Sequence, residues 1–247
     1  MPLIEHLVEL RLRVIRILIG LFVGFLIAYH FSEKLFDLLL RPLCQAFQKQ
    51  ECPIVFTGIA EPFLVYLKVG VLAGFFLSIP FTFYQIWIFI SPGLRQSEKR
   101  WMLPFVFVAS VMFVAGSLLG YFYIFPIAFN FFLSQAAQPI HPMLSMSDYL
   151  SFASGLLFAF GFLFEIPVFV ILLNLIGLVS AKSLWRTWRY CVAGIFVLSA
   201  VLTPADPYTM LLLGVPLSCL YILALIACSL LESVRSNRET LIDGKTA

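Results

Sequence analysis

The sequence is poor in charge: only 12% of its 247 residues are Asp, Glu, Lys or Arg. A water-soluble domain carries about 25%. With so few charges this chain cannot clothe a globule in a water-compatible surface, and a soluble fold is excluded. Histidine occurs three times, as His6, His30 and His141, too dispersed for a proton relay. No CxxC, HExxH or Cys/His cluster appears, which argues against a metal site. No glycine-rich phosphate loop, no nucleophile–base pair and no basic nucleic-acid patch is present. Cofactors, nucleic acid and ordinary hydrolytic chemistry are therefore not expected. A cleavable leader is not expected either, since Arg11, Arg13 and Arg16 run into an apolar segment with no small-residue cleavage site.

What is abundant is apolar surface. Hydrophobic residues make up 62% of the chain, and Phe alone occurs 27 times. The solvent for most of this surface must be lipid. The apolar runs predict an all-α membrane protein with six transmembrane helices at about 14–32, 68–90, 102–133, 149–179, 188–202 and 208–231. Together they form one transmembrane domain over 1–232, followed by a polar tail, 233–247. Twelve of the sixteen Lys and Arg residues fall before span one, between two and three, between four and five, or after six. The positive-inside rule then puts both termini in the cytoplasm. Trp87, Trp101, Trp185 and Trp188 cluster near the cytoplasmic boundary and read as interfacial anchors.

Three features depart from a plain bundle. After span one, Leu35, Phe36, Leu38, Leu39, Leu40, Leu43 and Phe47 alternate with Glu33, Lys34, Asp37 and Arg41. This pattern predicts an interfacial helical cap, broken at Pro42. Span five offers about 13 apolar residues, roughly 20 Å of helix against a hydrocarbon core of ~30 Å. Spans five and six should therefore form a short hairpin around the turn Thr203–Pro207. Prolines 80, 104, 126, 167 and 216 lie in or near spans and predict a bent, concave shape. Cys44 and Cys52 share the first external loop and could pair in an oxidising compartment, but two free thiols are expected. Cys191, Cys219 and Cys228 read as small core residues.

Few residues can carry function. Glu165 sits near the middle of span four, where insertion of a charge costs roughly 2.5–3.5 kcal/mol. It should face protein or water, either as a functional carboxylate or as protonated glue to a neighbouring helix. Glu9 and Glu98 lie at the cytoplasmic edge. Carboxylates there suit guanidinium groups, which they can bind through two parallel hydrogen bonds. The bland alternative is ion pairing, Glu9 with Arg13 at i,i+4 and Glu98 with Arg95, Lys99 or Arg100. Asp206, between two prolines, reads as a turn residue. On residues alone, Glu165 also fits a proton-coupled small-solute transporter. An intramembrane enzyme would need a second catalytic group, for which only Asn174 stands nearby.

Several ordered motifs carry a family resemblance over nearly the whole chain. They are HLVELRLR at His6–Arg13, RPL at Arg41–Leu43, YQIWIFISPGLRQSEKR at Tyr84–Arg100, FPIAFNFF at Phe125–Phe132, DYLSF at Asp148–Phe152, AFGFLFEIPV at Ala159–Val168 and LTPAD at Leu202–Asp206. At these residues the chain closely resembles the TatC family, receptor subunits of the twin-arginine protein translocase. The resemblance implies that Glu9 and Glu98 recognise the paired arginines of a signal peptide, with Arg11 and Phe89 at positions linked to signal-peptide handling. It implies that Glu165 contacts the single-span partners TatA and TatB. Pro42 and Asp206 match positions important in the family. Thr203 matches one member of a polar cluster at the start of span six, whereas Met210 stands where some members have Gln. The function implied is that of a non-enzymatic receptor and assembly core. It would export folded proteins on the proton gradient, from the cell inner membrane, as part of a self-associating complex.

Overall fold

The structure, a computed structural model, describes residues 3–46, 54–93, 102–135, 144–202 and 207–243. The helices are α1 (Leu3–Tyr29), α2 (Ser32–Ala46), α3 (Glu61–Ile90), α4 (Met102–Leu119), α5 (Phe125–Gln135), α6 (Met146–Leu175), α7 (Ala181–Leu202) and α8 (Pro207–Asp243). Five segments are long and apolar enough to cross a membrane: Glu5–Tyr29, Glu61–Ile90, Met102–Asn130, Met146–Leu175 and Leu213–Val234. The chain is thus an all-helical, multi-pass membrane protein. The short fifth helix of the sequence reading, α7, falls below that measure because Lys182, Arg186 and Arg189 occupy its first half.

The described chain packs as two compact units. The first draws on Met1–Pro92 and Arg100–Phe162, the second on Gly93–Lys99 and Leu163–Ala247.

In the first unit α1 and α3 cross at two glycines. A Cβ on Gly74 would lie 2.5 Å from the Phe25 nitrogen, and one on Gly24 would lie 2.5 Å from the Gly74 oxygen. Only hydrogen side chains let two backbones come this close, and in lipid such packing drives association where no hydrophobic force between helices exists. A second close approach joins α4 to α6. Gly161 faces Phe113 and Ser117, and the Ser117 hydroxyl donates to the carbonyl of Leu157, 3.0 Å away. Between these crossings Phe75, Phe76, Phe113 and Phe158 form a ring cluster with centroids 5.0–6.3 Å apart.

The prolines are absorbed in different ways. Between α4 and α5 the helix runs through a π-turn, Gly120–Ile124, in which the Phe125 N–H donates to the Gly120 carbonyl. This widening falls just before Pro126, which has no N–H of its own. In α2 the expected break at Pro42 does not occur; the helix continues to Ala46. Pro42 cannot donate to the carbonyl of Leu38, but the Tyr121 hydroxyl does so instead. The Tyr149 hydroxyl donates to the next carbonyl, that of Leu39. Two tyrosines from the bundle therefore pin the cap helix where its own ladder is weakest. Pro42 and Leu43 are buried beneath it, while Glu33, Lys34, Asp37 and Arg41 are exposed.

Two further sequence expectations are corrected. Trp87 is not an interfacial anchor: it is fully buried, with its ring 4.6 Å from that of Phe105. Cys44 is not a free thiol but is disulfide-bonded, its partner lying outside the described residues. Cys191, Cys219 and Cys228 are free, and Cys219 is exposed rather than part of the core.

At the α2 end of this unit, Ile54–Val55 (β1) pairs in parallel with Leu144–Ser145 (β2). Glu61, in the first turn of α3, ties the two connections together. Its carboxylate accepts hydrogen bonds from the Thr57 N–H and hydroxyl, the Gly58 N–H, the Ser145 hydroxyl and the Ser147 N–H.

In the second unit α7 and α8 lie antiparallel, with Phe196 against Gly214 near the turn and Trp185 Nε1 donating to Ser229 Oγ at 2.9 Å near the far end. Gly177, at φ 77°, ends α6 in the left-handed conformation. The N–H groups of Gly177 and Leu178 close on the carbonyls of Asn174 and Leu173. Glu232 of α8 then accepts from Asn174 Nδ2 at 2.7 Å and from the Ala181 N–H at 2.6 Å, capping α7 from a neighbouring helix.

Two outcomes follow from these contacts. Tyr121→Phe should lower the thermal stability of the purified protein in detergent by about 1–3 kcal/mol, the cost of a stranded buried carbonyl. The loss should shrink in a Pro42→Ala background, where residue 42 regains the N–H that serves Leu38; equal losses in both backgrounds would disprove the repair. Glu61→Gln puts an amide NH2 among five donors, and limited proteolysis should then cut both 54–60 and 144–148 faster, not one alone.

Candidate functional site

The N-terminal turns of α1 lie against the C-terminal turns of α3 in the first unit. Here the residues with chemistry are Glu9, Arg13, Gln85, His6 and Phe89. The spacing of Glu9 and Arg13 places them on one face of α1, one turn apart. They form an ion pair, Arg13 Nη2 to Glu9 Oε1 at 3.2 Å. The same guanidinium reaches across to α3, where Arg13 Nη1 donates to Gln85 Oε1 at 3.3 Å. Gln85 is 4% exposed, so its amide is fixed by packing. Arg13 Nε is buried and makes no hydrogen bond among the described residues. One turn further along each helix, the rings of His6 and Phe89 stack at 4.4 Å with 18° between their planes. Arg11 projects from an exposed face of α1.

This geometry has a plain chemical meaning. A carboxylate at the end of α1 already holds a guanidinium. An aromatic platform lies beside it, on which an apolar or cationic side chain could rest. The ion pair that the spacing allowed is real, and the i,i+4 register suffices to explain it. The contact to Gln85 could not be read from the sequence, because it depends on the packing of α1 against α3. Glu98, the second carboxylate of the sequence reading, lies outside the described residues, as do Thr203 and Asp206.

The remaining candidates are placed apart from this group. Pro42 is buried in α2, one turn after the Leu38 and Leu39 carbonyls capped by Tyr121 and Tyr149. Glu165 is half-buried in the part of α6 that belongs to the second unit, flanked by buried Phe164 and exposed Phe169. Met210 is half-buried near the start of α8. No group of three or more His, Cys, Asp or Glu that could hold a metal ion occurs among the described residues.

Sequence reasoning missed two acidic residues that the structure uses heavily, Glu61 and Glu232. A Glu-Pro pair opening a helix was the available signal for Glu61. For Glu232 no local signal exists, since both its donors come from residues more than fifty positions away.

Comparison with known proteins places the chain in a family. The family model described as "Sec-independent protein translocase protein (TatC)" matches residues 5–216. The Sec-independent protein translocase protein TatC of Desulforapulum autotrophicum is 42% identical over 238 residues, covering 96% of this chain and 88% of that one. The TatC of Escherichia coli K12 is 35% identical over 220 residues, covering 89% and 85%. Among solved structures, the crystal structure of the twin-arginine translocase receptor TatC in DDM superposes with a TM-score of 0.74 at 31% identity, covering 90% of this chain and 98% of that one. The chain belongs to the TatC family of Sec-independent protein translocase proteins.

Proposed function

We propose that this protein is the membrane receptor and assembly core of a twin-arginine translocation system. In this reading Glu9 and Glu98 bind the paired guanidinium groups of a signal peptide at the cytoplasmic face, with Arg11 and Phe89 beside them. The observation that carries it is the Glu9 carboxylate, which engages a guanidinium next to a stacked aromatic pair. A guanidinium offers two parallel N–H donors where an ammonium offers a point charge. Such a site favours arginine over lysine by geometry as well as by charge.

The basic clusters orient the chain with both termini in the cytoplasm, in the inner (plasma) membrane. Residues 1–232 act as one six-span domain and 233–247 as its tail. Glu165, with Thr203 and Met210, docks the single spans of TatA and TatB, and further copies of the chain join the complex. Pro42 serves in the external cap, and Asp206 stands at a position important in the family. The chain is a receptor rather than an enzyme, and the proton gradient supplies the energy for export.

Removing one carboxylate tests the recognition chemistry. Glu98→Ala should weaken binding of a twin-arginine signal peptide by about tenfold or more, and of its twin-lysine counterpart by less. Fluorescence anisotropy with both peptides on the full chain in detergent reads the difference. Equal loss for both would contradict guanidinium recognition.

A further inference from the structure

The guanidinium that Glu9 holds belongs to the protein itself. We propose that Arg13 is a tethered competitor for the signal-peptide arginine, parked across Glu9 and Gln85 and displaced when the peptide binds. The inference rests on the reading of Glu9 as a guanidinium site and adds a regulatory step to it.

The contacts describe a weak latch rather than a settled ion pair. Charge-assisted N–H···O bonds are typically about 2.7–2.9 Å. Arg13 makes one to Glu9 at 3.2 Å and one to the neutral Gln85 oxygen at 3.3 Å. It engages a single oxygen of the carboxylate, Oε1; Oε2 makes no hydrogen bond among the described residues. Its Nε is buried without a partner among the described residues, a desolvation cost that a better-seated arginine would avoid. An incoming guanidinium can lie across both carboxylate oxygens with two parallel bonds, which Arg13, split between Glu9 and Gln85, does not do.

Gln85 is the part that makes this a latch. An i,i+4 pair alone is weak and leaves the carboxylate free much of the time. A second anchor on another helix, fixed by burial, holds the guanidinium in the site more of the time. Gln85 is neutral, so it draws Arg13 without adding a second carboxylate that could bind the peptide.

The effect on affinity follows from the fraction of protein with the latch open. The apparent dissociation constant is the intrinsic one divided by that fraction. A closed latch therefore weakens every cationic ligand by the same factor. It raises the threshold for binding and leaves the ratio of twin-arginine to twin-lysine affinity unchanged.

Peptide binding to the full chain in detergent micelles, with labelled twin-arginine and twin-lysine signal peptides, tests this. Gln85→Met keeps the volume and the charge of the site but removes the anchor. It should tighten binding of both peptides by roughly two- to fivefold, with their ratio unaltered. Arg13→Gln should tighten binding by at least as much, and Gln85→Met should then have no further effect. Weakened or unchanged binding in Gln85→Met and Arg13→Gln, in protein whose melting temperature is retained, would overturn the latch and leave Arg13 as a support for Glu9. Glu9→Gln separates this from the underlying reading: if it leaves twin-arginine binding intact, the recognition site itself is wrong, whatever the latch variants do.

Discussion

Inside a bilayer there is no water to take up a stray backbone hydrogen bond, so each carbonyl and N–H must be satisfied by protein. The structure is organised around that constraint because the sequence repeatedly violates it. Pro42 strips a donor from the cap helix, and two tyrosines from α4–α5 and α6 supply hydroxyls to its carbonyls. Pro126 removes another, and the chain widens into a π-turn just before it. The end of α6 closes its carbonyls through Gly177, and the start of α7 borrows the Glu232 carboxylate from α8. The tyrosine and Glu232 repairs also tie one element to another. The position where Pro42 removes a donor thus becomes a fixed point instead of a loose joint.

The same constraint explains how much could be read from the sequence. Long apolar runs have no other home than lipid, so the helical membrane class, the amphipathic helix α2 and the short apolar stretch of α7 were legible in composition and charge alone, although α7 itself runs to 22 residues. What failed were inferences about single residues whose behaviour depends on a distant partner. Pro42 was read as a helix breaker because local rules apply to a helix in water; the tyrosine that repairs the defect is 79 positions away. Trp87 was read as an interfacial anchor because tryptophans often are, but it lies beneath Phe105. Glu61 was passed over because it opens a helix, where acidic residues are common, and Glu232 because both its donors come from segments more than fifty positions away.

The recognition site divides in the same way. Glu9 and Arg13 sit four residues apart and announce an ion pair. The proposal that the carboxylate is a recognition group rests on the family motif around it, not on spacing. That Arg13 is also held by Gln85 came only from three dimensions. A bilayer-embedded protein has few charges to spend, and under the proposal a resident arginine that must be displaced makes one carboxylate serve both closed and open states.

The central claim is that the cytoplasmic end of this chain reads paired guanidinium groups. Photo-crosslinking tests it directly, with probes at Val8 and Ser97, beside the two carboxylates so that neither is lost. A twin-arginine precursor should crosslink at both positions, and replacing its arginine pair with lysines should abolish both adducts. Adducts of equal yield with either precursor would contradict the account and reduce this face to a generic membrane contact.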